Sequence, residues 1–99
     1  MTFDEEEFEG AIILEPQKMF NSAVVGFAVN SHDERVICYD YDLLIEAYID
    51  NMSDKDKKGM TDSDIYMEAC DYISSVTIRE IDYISSNRKP IIIYPIDFL

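Results

Sequence analysis

Positive charge is scarce in this chain. Across 99 residues, eight Lys and Arg stand against 21 Asp and Glu, for a net charge of −13. That imbalance disfavours direct contact with nucleic acid or anionic lipid and favours a basic protein surface as partner. It exceeds the roughly 2–8 charges that keep a small domain soluble. Glycine and proline number three each, so long structureless loops are not expected. Gly10, Gly26 and Gly59 are isolated, which excludes a Gly-rich phosphate loop. One His and two cysteines without close spacing do not make a usual structural zinc site. No apolar run reaches the roughly 18–20 residues of a membrane span. The start, Met1-Thr2-Phe3 leading into Asp4, Glu5, Glu6 and Glu7, is the reverse of the basic, then apolar, secretory signal. Cys38 and Cys70 therefore read as reduced core thiols, and the protein as cytoplasmic. Neither a cofactor nor a membrane partner is expected.

Apolar residues make up 47% of the chain, too many for a disordered protein. One core and one domain over residues 1–99 follow from the length, with residues 1–9 as an acidic leader. The pattern beyond it alternates short strands and helices. Pro16 to Phe20 suits one helical turn. Ser22 to Val29 is nearly continuous in apolar character and reads as a central strand covered on both faces. Asn30 to Glu34 is a turn, and Arg35 to Tyr39 a second strand, so the pair predicts an antiparallel hairpin. A helix follows from about Asp42 to Met52, with Asp40 as N-cap and Leu44, Ile45, Tyr48 and Met52 on its apolar face. A second helix starts at Thr61, where Asp64 completes a capping box and Met60 and Ile65 are placed as a staple. Ile65, Ala69, Tyr72, Ile73 and Val76 make its buried face. Residues 77–84 fit a helix or a strand. Pro90 to Tyr94 is the last strand. The expected architecture is α+β: a small antiparallel sheet of about three strands, with two helices packed on one face.

Catalytic chemistry is hard to assemble from these residues. His32 lies in a turn beside Asp33, without the nucleophile, base and orienting group of an enzyme site. In the loop Ser53 to Gly59, Asp54-x-Asp56 with Gly59 matches the start of an EF hand. Position five is then Lys58, and position twelve is Ile65 where a bidentate Glu is needed. The loop reads instead as a solvated connection, and no enzyme is expected.

The acids of the two helices are the candidate site. Asp42, Glu46 and Asp50 follow at i, i+4 and i+8, and Asp64, Glu68 and Asp71 at i, i+4 and i+7. Like charges so spaced destabilise a helix by about 0.2–0.5 kcal/mol per pair, and ordinary solvent faces mix signs. No Lys or Arg occurs between Asp42 and Met52 or between Thr61 and Val76. One i to i+4 step rises about 6 Å, so two such rows approximate a phosphate track. The plain alternative is a pair of solvated faces.

Several segments resemble a group of small, uncharacterised tailed-phage proteins. They are Ala23-Val24-Val25-Gly26, the Tyr39-Asp40-Tyr41-Asp42 step followed by Leu44-Ile45-Glu46, Met60-Thr61 with Glu68-Ala69, and Pro90-Ile91-Ile92-Ile93. The resemblance spans roughly residues 22–94. It departs at the longer loop Ser53 to Gly59 and at Ser86-Asn87-Arg88-Lys89. It implies a phage origin and this layout, and carries no activity. Small acidic phage domains without an active site are often inhibitors of host machinery. The leading expectation is therefore a protein that inhibits a host nucleic-acid-processing defence protein, such as a CRISPR effector or restriction enzyme, in the host cytoplasm. It would do so through the six acids, by nucleic-acid mimicry. The alternative is a small accessory or self-associating phage protein. Its apolar and Tyr surface would make the contact, with acidity serving solubility only. A homo-oligomer is compatible with both.

Overall fold

The computed structural model describes residues 10–96. The acidic leader, residues 1–9, lies outside the described residues. The fold is α+β: a three-stranded sheet with helices packed on it.

Pro16 caps the single turn of α1, Gln17–Phe20, and Asn21–Ala23 continue as a 3-10 turn into β1, Val24–Val29. β1 and β2, Arg35–Asp40, form the expected antiparallel hairpin. Asn30 makes the turn. Its Oδ1 accepts from the backbone N–H groups of His32 at 2.9 Å and Glu34 at 3.0 Å. Asp33 takes a left-handed conformation at φ 61°, tolerated by Asp in a turn. Asn30 Nδ2 donates to the carbonyl of Asn87 at 2.8 Å, which ties the turn to the C-terminal third.

Two expectations about the sheet are corrected. β3, Ile91–Ile93, pairs with β2 in parallel, not antiparallel. The connection from β2 to β3 contains every helical segment that follows the hairpin, long enough for the crossover that parallel strands need. The order is β1-β2-β3, so β2 is the central strand and β1 an edge. Val36, Ile37, Cys38 and Tyr39 of β2 are all buried, whereas Val25, Phe27 and Val29 of β1 stay exposed. An all-apolar run does not distinguish a strand covered on both faces from an uncharged edge.

α2, Tyr41–Asn51, begins where expected because the Asp40 carboxylate accepts from the Leu43 N–H at 2.9 Å. The loop after it holds one further turn, α3, Asp54–Lys57, closed by a reciprocal Ser53–Asp56 capping box. α4, Asp62–Tyr72, carries the predicted box: Asp64 N–H donates to Thr61 Oγ1, and Thr61 N–H to Asp64 Oδ2, both at 3.1 Å. Residues 77–84 resolve as mostly helical. A π-helical segment, Ile73–Ile78, runs into α5, Arg79–Asp82. The wide turn corrects one buried position: Val76 is exposed and Thr77 is buried. Ala69, Ile73, Thr77 and Ile81 are all buried at steps of four. In an α-helix three such steps drift by about 120°. An i→i+5 turn holds more residues and takes up much of that drift.

The core lies between the helices and one face of the sheet. Ile37 and Tyr39 of β2 meet Phe20, Leu44, Ile45, Ala69 and Ile73, with Ile92 of β3 packed beside them. The Tyr39 hydroxyl, though buried, accepts the Leu14 N–H at 3.0 Å. Cys38 is buried and Cys70 partly so, both as free thiols.

Candidate acidic interface

α2 and α4 present their carboxylates because the opposite sides are committed to the core. Leu44, Ile45 and Ala47 of α2 are buried, as is Ala69 of α4 with Ile73 beyond it. At 3.6 residues per turn, Asp42, Glu46 and Asp50 fall within about 80° of one another around α2, and Asp64, Glu68 and Asp71 within about 60° around α4. All six are exposed. Among the described residues none of the six forms an ion pair with Lys or Arg; the ion pair there joins Arg88 Nε to Glu34 at 3.9 Å.

The six are not equivalent. Asp42 and Glu46 line a shallow recess with Ile45, Ile49 and the exposed Tyr66 of α4. Asp71 lies along a second recess with Tyr66, Met67, Cys70 and Ser74, and accepts from Ser75 Oγ at 3.3 Å. Tyr66 thus stands between acids of both helices. Its phenol is held above the ordinary value by its contact with the Cys70 side chain and then by burial and the Asp42 charge. Glu68 acts elsewhere: after burial, its charge is the next cause raising the Tyr48 phenol, which stacks on Tyr72 at 4.5 Å between centroids. Asp64 is engaged through Oδ2 in its capping box, so it has a structural role as well as an exposed charge. Asp50 sits exposed near the end of α2. Three of the six, Asp42, Glu46 and Asp71, therefore border the two recesses that share Tyr66; Asp50, Asp64 and Glu68 line neither.

Sequence reasoning left Tyr66 unassigned. The signal was there in Asp62, Asp64 and Glu68 flanking a Tyr off the apolar stripe, but its relation to Asp42 depends on how α4 crosses α2. Beside Tyr66, Tyr41 meets Tyr94 at 4.9 Å and approaches Ser74 Oγ at 3.5 Å.

His32 is exposed in the hairpin turn. Among the described residues no group of three or more His, Cys, Asp or Glu is placed to hold a metal ion, and no helix is long and apolar enough to cross a membrane. No protein-family model, curated protein or solved structure matches the chain, so the reading of this surface rests on its own geometry and charge.

Proposed function

We propose that this is an acidic, phage-type binding protein, without catalysis of its own, that inhibits a host nucleic-acid-processing defence protein such as a CRISPR effector or restriction enzyme. It offers carboxylates to a basic groove in place of nucleic-acid phosphates, in the host cytoplasm. The observation that carries this reading is the absence of cations from α2 and α4 together with the exposure of all six acids. Such a surface costs helix stability through like-charge pairs and gains in association rate with a positive partner. A second reading, contact through the apolar and Tyr surface, draws on the exposure of Tyr66, Met67, Tyr83 and Tyr94.

Salt and substitution separate the two. The chain is used to capture partners from host lysate at low and moderate salt, and the captured protein is then challenged with duplex DNA. Acid-driven binding is released by salt and by DNA, and is lost when Asp42→Asn, Glu46→Gln and Asp50→Asn are combined. Capture that ignores salt, DNA and the triple change contradicts the proposal and favours the apolar surface.

A further inference from the structure

We infer that the recess between α2 and α4 anchors one arginine side chain of the partner, whose guanidinium lies on Tyr66 and donates to the carboxylates of Asp42 and Glu46. The inference rests on the proposed acidic interface and names the chemical group that it takes and the place where it takes it.

The recess is lined by two kinds of side chain. Asp42 and Glu46 stand one turn apart on α2, Tyr66 comes from α4, and Ile45 and Ile49 supply an apolar lining. Its volume is about 300 Å³, the small end for a ligand pocket, which suits a single side chain better than a larger molecule. Tyr66 keeps 52% of its surface in water, so the ring is open to a partner. Among the described residues neither carboxylate pairs with Lys or Arg, and neither α2 nor α4 contains a cation of its own. Solvated acids need no ring beside them. Here two charges share one concavity with an exposed ring and apolar side chains, and that combination points to a ligand.

Charge and lining together choose the occupant. Two carboxylates on a chain of net charge −13 turn anions away. A divalent ion needs more ligands, and among the described residues no group of three or more His, Cys, Asp or Glu is placed to hold one. A lysine ammonium is compact and strongly hydrated, so an apolar wall offers it little. A guanidinium is planar, weakly hydrated and stacks on aromatic faces, with five donors in a rigid fork. It can lie on the Tyr66 ring while its N–H groups reach carboxylates that rise about 6 Å apart along α2. The methylene stem of the arginine then covers Ile45 and Ile49. Arginines that grip phosphates in a basic groove grip carboxylates by the same fork, so the proposed partner supplies the group.

The test is an NMR titration of the intact chain at low salt with two capped peptides, Gly-Ser-Arg-Ser-Gly and Gly-Ser-Lys-Ser-Gly. The expected result is a saturating shift of the Tyr66 ring and of the Asp42 and Glu46 signals, with the arginine peptide at least about twofold tighter than the lysine peptide. Tyr66→Leu should weaken the arginine peptide by about two- to fivefold and erase its preference, whereas Tyr66→Phe should keep both. Equal affinities for the two peptides, shifts spread equally over Asp50, Asp64 and Glu68, or no effect of Tyr66→Leu would overturn the inference. If Tyr66→Leu fails to fold, the comparison of the two peptides on the unsubstituted chain decides. The readout is independent of partner capture. Capture sensitive to salt and DNA, with no arginine preference, keeps the proposed function and removes this anchor; arginine preference beside capture that ignores salt and DNA does the reverse.

Discussion

The outward side of α2 and α4 carries six carboxylates and no cation, whereas the outer strand of the sheet carries six residues and no charge at all. Both surfaces are unusual for a small domain, in opposite senses. Like charges on one helix face repel one another, and the apolar side chains of the uncharged strand, Val25, Phe27 and Val29, keep about half of their surface in water. Neither the six acids nor the exposed Val25, Phe27 and Val29 contribute to the core, which is held by Phe20, Ile37, Tyr39, Leu44, Ile45 and Ile73, with Val24 as the buried end of β1. The lesson is that stability and surface chemistry are separable here, so substitutions can address each alone.

The largest stability effect should come from beneath the surfaces. Leu44→Ala or Ile73→Ala removes a fully buried side chain and should cost about 2–5 kcal/mol in denaturant unfolding. A loss as large from Glu46→Gln would break the separation. Tyr39→Phe comes next. It leaves the Leu14 N–H without its buried acceptor, for a loss of about 1–3 kcal/mol. It should also change the alkaline behaviour. Burial raises the Tyr39 phenol above its ordinary value of 10.0, against the pull of the Leu14 bond and with Glu15 adding to the rise. The unfolded chain therefore loses this proton first. The contribution is complete below the unfolded value and declines as pH rises through the folded one, so the Phe variant should show a shallower alkaline loss.

Smaller effects sharpen the comparison. Thr61→Ala removes one half of the α4 capping box and should cost about 1 kcal/mol. Asp42→Asn, Glu46→Gln and Asp50→Asn together should do the reverse. Relief of like-charge pairs stabilises by about 0.2–0.5 kcal/mol each, seen as a slightly higher unfolding midpoint at low salt. The same triple change that strengthens the fold is expected to weaken binding, which is the signature of a surface kept for a partner.

Much of this was legible in the sequence, and the reasons differ by element. Asp40, Thr61 and Asp64 announced their helices because capping is local chemistry. The Asn30 turn and its two strands were legible for the same reason. Leu44, Ile45, Ala69 and Ile73 followed from periodicity. The parallel pairing of β3 did not, since a three-residue strand carries no local mark of its direction. β1 read as central because apolar content reports an affinity for cover without reporting that cover exists. Thr77 replaced Val76 in the core because the wide turn changed the phase of the helix. At the candidate site the exposure of the acids followed from the apolar stripes opposite them, while the sharing of Tyr66 by the two recesses that Asp42, Glu46 and Asp71 border depended on a helix crossing.

The most direct test of the acidic interface is the salt dependence of affinity for the captured partner, measured with the unsubstituted chain and with the Asp42, Glu46 and Asp50 triple variant. Binding through these acids predicts affinity falling steeply with salt, and for the variant a weaker affinity and a shallower slope. Equal affinities and equal slopes for the two chains would contradict it.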